Sequence, residues 1–469
     1  MKDIYLTIDF GSTYTKLTAI DLANETVMAT AKSITTVEDD IMIGFNEAYS
    51  LLMEKIEKIY SLEEISFVKK TACSSAAGGL KMFAIGLVPE LTADAAKKAA
   101  LGAGARVIKT YAYELNHHEM QEIKDSQVDI ILLAGGTNGG NKDCIIHNAK
   151  LISEFGIKAP VVVAGNKSAI DEIEAIFNEA GIFYTTTENV MPVLNKLNVE
   201  PARESIRQVF MKKIVEAKGM KKAENFISGI LMPTPAAVLK AAEVLSTGTD
   251  DEEGIGDLLV IDIGGATTDV HSIAKGEPTK PAVIMKGLEE PFSKRTVEGD
   301  LGMRYSALAL LEASSTKKIR NYLKDEHKEF DVKTLCKKRH DNIRMVPVTP
   351  EDIAFDEAMA KVATEIAMDR HCGVLEIVYT PMGTMFNQHG KDLLDAPCVI
   401  GTGGVIIHSE NPHEILAAGN FNPENPIHLK PQNPKFLVDK TYILSAMGLL
   451  AEDYPDMAVR IMKKYLVEV

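Results

Sequence analysis

Two stretches of this chain carry the residue types that can bind a phosphate group together with a divalent cation. The first runs from Ile8 to Lys16, and the second, from Ile261 to Asp269, repeats its pattern at a constant offset. In each stretch β-forming residues flank a glycine turn, which predicts two strands joined by a tight loop. Because glycine allows close backbone approach and successive N–H groups form a concavity for anions, we expect each turn to bind phosphate.

The side chains around the first turn supply further chemistry. Ser12, Thr13 and Thr15 offer hydroxyl donors, and Lys16 offers a positive charge suited to phosphate. Asp9 ends the first strand beside the turn, where a carboxylate would repel phosphate unless a cation lay between them. Mg²⁺ meets this need, because it takes one or two carboxylates plus phosphate oxygens and keeps several waters.

The second stretch repeats this arrangement, with Asp262 in the place of Asp9. One such turn alone is typical of ordinary strand connections, so it is the matched pair that indicates a nucleotide site. Two hairpins that face each other would hold one Mg²⁺-nucleotide. The expected metal ligands are Asp9 and Asp262, and the expected phosphate contacts are Gly11, Ser12, Thr13, Thr15, Gly264, Gly265, Ala266 and Thr267.

The motifs follow one another as in the ATPase superfamily of actin, Hsp70 and the sugar kinases. The two hairpins resemble its two phosphate motifs. Its remaining motifs are resembled by Met232–Ala237 and Tyr442–Leu450 (the connecting helices), Gly299–Met303 (the segment after the second phosphate motif) and Val399–Val405 (the adenosine motif). This resemblance spans the chain. It implies an α/β fold, a two-half actin-like ATPase with duplicated ribonuclease H-like subdomains and an inserted α/β module in the first half.

Four further runs narrow the resemblance to the glutamate mutase L family. They are Thr71–Met82, Gly86–Thr92, Leu132–Gly140 and Val260–Asp269. This family shares its short name with an unrelated mismatch-repair ATPase, whose motifs are not present here. Members are regarded as ATP-dependent chaperones that release damaged cobalamin from adenosylcobalamin-dependent mutases. The resemblance therefore implies ATP and Mg²⁺ as cofactors and such a mutase, by default glutamate mutase, as the partner.

The resemblance also implies roles for single residues. Asp9 and Asp262 would hold Mg²⁺ through water, and one of them or Asp269 would orient the attacking water. Lys16 would offset the charge that develops during phosphoryl transfer. The nucleoside would lie against the backbone at Gly401, Gly403 and Gly404. Nucleotide state would then bias an open–closed equilibrium that acts on the mutase.

Two other function classes stay open. A small-molecule kinase of the same fold would need a second substrate cleft with a base, and the sequence carries no distinctive kinase signature. An actin-like scaffold or filament former is the other alternative. ATP turnover without any small acceptor would argue against the kinase, and constant light scattering after ATP addition would argue against the filament.

The motifs and the element pattern together predict the domain organisation. Residues 1–114 and 201–246 would form the first ATPase half and 257–469 the second, with 115–200 as the inserted module, in which apolar strands alternate with helices. The loop Gly135–Gly140 follows one of these strands, a position where α/β sheets often bind ligands. Its glycine spacing favours a contact surface for a partner over a second nucleotide site.

Two stretches near the motifs are predicted to be helical. Gly229 to Leu245 is expected to be a helix throughout. Residues 314–350 hold many basic side chains among polar ones, and we expect a solvated helical insertion there rather than a nucleic-acid patch.

Composition narrows the partner classes. The 469 residues include 51 basic and 66 acidic side chains, for a formal charge of −15, and no basic stripe, so a nucleic-acid partner is not expected. Five scattered cysteines indicate buried thiols in a reducing cytoplasm and argue against a disulfide framework or an iron–sulfur cluster. No apolar run approaches the roughly 20 residues that cross a bilayer, and the first strand leaves no room for a signal peptide. A cytoplasmic protein is expected, and a homo-oligomer stays open.

Overall fold

The computed structural model describes residues 2–36, 40–75, 80–216, 226–228, 230–381 and 383–469. These residues form two compact units. The first unit comprises Met1–Lys240, Gly287–Pro291 and Ser445–Tyr454, and the second comprises Ala241–Lys286, Phe292–Leu444 and Pro455–Val469. Within the run Thr71–Met82, the motif residues 76–79 lie outside the described ranges.

The secondary structure of the first unit, labelled in chain order, alternates between strands and helices. Its strands are β1 (Lys2–Phe10), β2 (Tyr14–Asp21), β3 (Thr26–Ile34), β4 (Ile65–Ser74), β5 (Lys81–Gly86), β6 (Arg106–Ala112), β7 (Ile130–Leu133), β8 (Val161–Val163), β9 (Tyr184–Thr186) and β10 (Ile230–Pro233). Its helices are α1 (Ile41–Glu57), α2 (Asp94–Gly102), α3 (His117–Asp125), α4 (Asp143–Glu154), α5 (Ile170–Ala180), α6 (Glu200–Glu216), α7 (Thr234–Thr247, which continues into the second unit) and α14 (Leu444–Leu450). Short 3₁₀ or π turns lie at Leu62–Glu64, Pro89–Ala93 and Lys167–Ala169.

The first sheet of this unit has the order β3-β2-β1-β4-β10. Strands β1, β4 and β10 run parallel, whereas β2 and β3 are antiparallel to their neighbours. Alternate residues of β1, from Ile4 to Phe10, pack with α1 in one apolar cluster. Because successive side chains of a strand point to opposite faces, Asp9 lies on the other face, away from α1.

The second unit carries the corresponding elements. Its strands are β11 (Leu258–Ile263), β12 (Thr268–Ile273), β13 (Val283–Lys286), β14 (Ser293–Glu298), β15 (Val374–Thr380), β16 (Gly383–His389), β17 (Cys398–Thr402), β18 (Lys435–Val438) and β19 (Val467–Glu468). Its helices are α8 (Ala307–Ser314), α9 (Thr316–Asn321), α10 (Val332–Asp341), α11 (Pro350–His371), α12 (Gly404–His408), α13 (Pro412–Ala417) and α15 (Pro455–Tyr465), with a 3₁₀ turn at Asp325–His327. Strands β13, β16 and β15 form a separate small sheet.

The main sheet of the second unit repeats the strand order of the first. It reads β14-β12-β11-β17-β18, with β19 added at the edge. Strands β11, β17 and β18 are parallel and β12 and β14 antiparallel, as in the first unit. The same five-strand order with the same directions in both units confirms the predicted α/β fold of two actin-like ATPase halves with duplicated ribonuclease H-like subdomains.

The other sheet of the first unit forms the α/β module. Its order is β6-β5-β7-β8-β9, and every pair is parallel. Helices α2 and α6 share an apolar cluster with alternate residues of β5 and β7, and α3, α4 and α5 pack with the residues between them. The hydrogen-bonded sheet thus begins at residue 81, whereas the sequence places the module at 115–200. The difference arises because β5 pairs with β7 on one side and β6 on the other. The domain boundaries predicted from the sequence stay a proposal.

One element differs in type from the sequence prediction. Residues 230–233 form strand β10 at the edge of the first sheet, and the helix begins only at Thr234. A short apolar run fits a buried strand and a helix equally well, so its type is decided by pairing with β4. The basic stretch after residue 314 does contain helices α9 and α10, as predicted. In the parts of the chain described here, no helix combines the length and apolar character needed to cross a membrane.

Candidate functional site

In the first hairpin, Asp9 lies among three donors. Asp9 and Lys16 are direct partners in the β1–β2 ladder, and Lys16 Nζ lies 3.4 Å from Asp9 Oδ2. Thr234 Oγ1 donates to Asp9 Oδ1 at 2.6 Å, and Ser445 Oγ donates to Oδ2 at 3.2 Å. The Asp9 residue is only 5% exposed. One cation and two hydroxyl groups therefore satisfy this buried carboxylate.

These groups meet because parallel strands end together at one edge of the first sheet. Asp9 is in register with Cys73 of β4, and Cys73 with Met232 of β10, so the residue that begins α7, Thr234, reaches Asp9. Burial, followed by the nearby Asp9 charge, raises the pKa of the Cys73 thiol well above its usual value. Cys73 is thus a neutral packing residue and not a nucleophile.

The first turn presents free backbone donors. Gly11 N–H donates to Tyr14 O at 3.1 Å and closes the turn. A Cβ at Gly11 would lie 2.6 Å from that same oxygen, so only glycine fits. The N–H groups of Ser12 and Thr13 donate to no other residue within the described ranges. They are available to an anion.

Thr15 does not join the predicted phosphate contacts. It is fully buried, and its Oγ1 lies 3.0 Å from Thr35 Oγ1. Lys16, its neighbour on β2, faces Asp9. Since neighbouring side chains of a strand point to opposite faces, Thr15 and Lys16 cannot serve the same site. The hydroxyl group of Thr15 stabilises the sheet instead.

The second hairpin places two carboxylates opposite each other. Asp262 and Asp269 are direct partners in the β11–β12 ladder, so Asp269 occupies the position that Lys16 has in the first hairpin. Arg295 of β14 donates to Asp269 Oδ1 from Nε at 2.8 Å and lies 2.5 Å from it through Nη2. Thr267 Oγ1 donates to Asp269 Oδ2 at 3.0 Å. Asp269 is therefore paired with a protein cation, and Asp262 places a second carboxylate opposite it.

The second turn is held by its carbonyl groups and exposes its N–H groups. We name residues 299–306, which follow β14, the brace segment. The carbonyl oxygens of Gly264, Gly265 and Ala266 accept hydrogen bonds from Met303 N–H (3.0 Å), Arg304 N–H (2.8 Å) and Ser306 Oγ (2.7 Å), respectively. The N–H groups of residues 265–267 donate to nothing among the residues that the structure describes. Three successive free donors make this turn a concavity for an anion.

The glycine loop of the α/β module is built differently. The N–H groups of Asn138, Gly139 and Gly140 donate to Pro192 O, Asn166 Oδ1 and Thr137 O, each at 3.0 Å. Asn166, which is fully buried, also donates to the carbonyls of Gly140 and Asn141. Three N–H groups of the loop are therefore used within the module, and Asn166 holds the loop in place. The N–H groups of residues 135–137 donate to nothing among the described residues.

The three glycines predicted to admit the nucleoside have different surroundings. A Cβ at Gly401 would lie 2.9 Å from the Ile406 and Leu416 side chains, and one at Gly403 would lie 2.3 Å from Ile263 O. Gly403 also has φ +95°, which favours glycine. These two glycines thus serve close packing within the second unit. At Gly404, which begins α12, a Cβ would meet no described atom within 4 Å. Gly404 is the position open to a ligand.

The residues present fit a magnesium–nucleotide pair better than a metal site made by protein alone. The described residues contain no group of three or more His, Cys, Asp or Glu side chains arranged to hold a metal. Mg²⁺ bound with a nucleotide needs only one or two carboxylates, since phosphate oxygens and water supply the remaining ligands. Asp262 with its facing Asp269 meets that requirement. An open cavity of about 510 Å³ lies elsewhere in the second unit, along α11 and α13, and none of the sequence-predicted site residues lines it.

Three side chains at these sites were not singled out from the sequence. Thr234 and Ser445 lie inside the two runs that resemble connecting helices, so a search for small hydroxyl residues at those helix starts would have found them. Arg295 lies in β14, in a stretch with no motif, and only the register of β12 with β14 brings it to Asp269.

Comparison with known proteins identifies one family along the chain. A family profile described as "MutL protein" matches residues 5–466. A curated relative, Protein MutL of Clostridium tetanomorphum, is 68% identical over 467 residues and covers 100% of both chains.

Solved structures of similar proteins are more distant. Gluconate kinase from Lactobacillus acidophilus is 11% identical with a TM-score of 0.35, and the match covers 100% of this chain and 93% of that one. A glycerol dehydratase reactivase is 9% identical with a TM-score of 0.33, covering 96% and 99%. Both TM-scores are low, so the fold assignment depends on the repeated strand order.

Proposed function

We propose, because this chain belongs to the MutL protein family, that it is an ATP-dependent reactivating chaperone for an adenosylcobalamin-dependent mutase. The client would be glutamate mutase or a related carbon-skeleton mutase or aminomutase. ATP hydrolysis would drive the release of damaged cobalamin, after which the mutase takes up fresh cofactor. The five buried free cysteines support a role in the reducing cytoplasm.

The second turn carries the nucleotide part of this proposal. Three successive N–H groups at residues 265–267 donate to none of the residues in the described ranges and suit phosphate oxygens. The brace segment fixes the carbonyl groups behind them. The Asp262–Asp269 pair lies at the end of the same strands. A Mg²⁺-bound phosphate chain would suit both features, because its oxygens accept from the N–H groups and its cation attracts the carboxylates.

Each residue then receives a role in hydrolysis. Asp262 would hold the metal through water, and bound Mg²⁺ would neutralise the phosphate oxygens. Asp269 accepts a hydrogen bond from Arg295, so it would orient the neighbouring groups of the site by its charge and would not accept a proton during hydrolysis. Lys16 would face the developing charge, and Asp9 would keep Lys16 in place and orient the attacking water.

The α/β module is the proposed surface for the mutase. Its loops leave apolar side chains exposed at Tyr113, Phe183, Val193 and Leu194, whose exposed fractions are between 53% and 61%. These side chains are accessible for contact with a partner protein. The nucleotide sites described above use no residue of this module.

Release of an inactive cofactor tests the proposal. Glutamate mutase loaded with cyanocobalamin is mixed with this protein, with or without Mg²⁺-ATP, and cobalamin in the filtrate is measured by its visible absorbance. We expect release only with ATP, and restored activity when adenosylcobalamin is added. An Asp262→Asn protein serves as the control and should release nothing.

The contrary results are distinct. Equal release with and without ATP would falsify the chaperone proposal. ATP turnover that depends on a small acceptor would favour the kinase alternative. An ATP-induced rise in light scattering would favour a filament.

A further inference from the structure

The brace segment is itself anchored through one side chain. Arg304 donates from its backbone N–H to Gly265 O, at 2.8 Å. Its guanidinium donates from Nη2 to Asp356 Oδ2 at 2.7 Å and from Nε to Met345 O at 3.0 Å. The two ends of a single residue therefore connect the second turn with α11.

The carboxylate that receives Arg304 is shared with a second arginine. Arg339 of α10, which is fully buried, donates from Nε to Asp356 Oδ1 at 2.5 Å. It also donates from Nη2 to the carbonyl of Asp352, one helical turn before Asp356, and its guanidinium carbon lies 4.5 Å from the centre of the Phe355 ring. A buried carboxylate with a guanidinium on each oxygen has a fixed orientation. Arg304 is fixed with it.

This anchoring adds to what the turn does for itself. Gly264 N–H donates to Thr267 O at 2.9 Å and closes the turn. Because the backbone of Gly264 and Gly265 is permissive, contacts from outside the turn further restrict the direction of the N–H groups at residues 265–267. The brace segment fits tightly enough to do so, since a Cβ at Gly302 would lie 2.4 Å from the carbonyl carbon of Ala266. In the first turn, by comparison, Thr13 O accepts from Thr35 N–H at 2.9 Å, from a strand end rather than from such a segment.

We propose that Arg304 and Asp356 are positioning residues of the second phosphate turn. This assignment rests on the proposed function and adds to it the residues that aim the backbone donors. In this assignment neither side chain contacts the nucleotide. They act through the brace segment, so their loss should weaken binding of the phosphate chain and leave binding of the nucleoside unchanged.

The test compares ligands that differ only in phosphate. Affinities for ATP, ADP and adenosine are measured by calorimetry on the full chain, for Arg304→Met, Arg304→Lys and Asp356→Asn. The matched control is Arg460→Met, which removes an arginine of α15 that pairs with Glu252 at 3.1 Å. We expect Arg304→Met and Asp356→Asn to bind ATP and ADP roughly tenfold or more weakly, as for other outer-shell partners of a charged site. Adenosine affinity should stay at the wild-type value.

Arg304→Lys should recover part of the affinity, because it keeps a cation for Asp356 but not the guanidinium fork. The control should match wild type for all three ligands. ATP affinity unchanged by every variant, or an equal loss for adenosine, would overturn the positioning role. If Arg304→Met does not fold, the affinities of Arg304→Lys and Asp356→Asn for the three ligands test the positioning role. A wild-type protein that binds no ATP would instead overturn the proposed function itself.

Discussion

The first hairpin pairs Asp9 with Lys16 across its strands, whereas the second pairs Asp262 with Asp269. In the first, the protein neutralises the carboxylate by itself, with Lys16, Thr234 and a serine hydroxyl. In the second, two carboxylates face each other, and Arg295 donates to Asp269. The repeated backbone therefore carries two different charge arrangements.

This difference indicates a division of labour between the hairpins. The second hairpin presents two carboxylates on facing strands, and carboxylates are the protein ligands that Mg²⁺ takes together with phosphate oxygens. Asp9 already receives its hydrogen bonds from protein groups. We expect the second hairpin to carry most of the metal affinity and the first to carry the fixed positive charge.

Removal of each hairpin aspartate should have the largest effect. Asp9→Asn and Asp262→Asn should each lower ATP hydrolysis by roughly 100-fold or more, since both act where charge develops. Asp9→Asn also removes the carboxylate that Lys16 faces and should lower the free energy of unfolding by about 1–3 kcal/mol. Hydrolysis and thermal melting check both.

The Mg²⁺ dependence of the residual activity sharpens this test. Only Asp262→Asn should need more Mg²⁺ for half-maximal rate, by roughly 10- to 100-fold. The same Mg²⁺ requirement in both variants would contradict the division of labour, and near-normal turnover in either would contradict the two-hairpin site.

Gly403→Ala and Gly404→Ala should separate packing from binding within the second unit. At Gly403 the new Cβ would meet Ile263 O at 2.3 Å with φ +95°, so we expect a loss of roughly 2–4 kcal/mol in unfolding free energy. At Gly404 the Cβ enters open space. That variant should melt within about 0.5 kcal/mol of wild type but bind ATP more weakly. Denaturation and calorimetry measure the two quantities. Normal ATP affinity in Gly404→Ala would mean that the nucleoside lies elsewhere.

Acid should weaken the second unit through two buried histidines. Burial lowers the pKa of His271 from 6.5 to about 3 and lowers that of His371 well below its usual value. Below pH 6.5 the unfolded chain binds protons that the folded chain does not. Stability is therefore complete above that pH and falls as the pH drops, by about 1.4 kcal/mol per pH unit for each histidine. The histidines of the first unit (His117, His118 and His147) are not buried.

Urea unfolding at pH 7 and pH 5 measures this dependence. In His371→Gln, the number of protons taken up on unfolding should fall by about one. Gln can still form hydrogen bonds with Thr296 and Ser272, but it does not titrate. An unchanged pH dependence in this variant would show that His371 binds a proton in the folded state.

Thr15→Val should have the smallest effect. The Thr15 hydroxyl contacts Thr35 inside the first sheet, so its loss should cost about 1 kcal/mol of stability. ATP affinity should stay the same, because the backbone donors of Ser12 and Thr13 remain. Weaker ATP binding in this variant would return Thr15 to the phosphate site. Calorimetry measures the ATP affinity of this variant, and thermal melting measures its stability.

By itself, the sequence determined the two hairpins. Asp9 with Gly11, and Asp262 with Gly264, are local patterns in which a strand, a turn and a second strand follow directly, so short-range preferences suffice to predict them. The duplication, read as a resemblance to a known superfamily, extended these patterns to a two-half α/β fold, which the repeated strand order confirms.

Only the tertiary structure decided which side chains meet at each turn. Thr234 and Ser445 lie 225 and 436 residues from Asp9 in the chain, and they reach it only because parallel strands and two helix starts converge. Because side chains alternate along β2, Thr15 points to the face opposite to Lys16. Gly403 is closely packed within the second unit, whereas a Cβ at Gly404 would meet no described atom within 4 Å. Periodicity and composition describe a segment and its neighbours along the chain. Register, burial and the partner of each charge depend on segments far apart in sequence, so they follow only from how the strands pair and the helices pack.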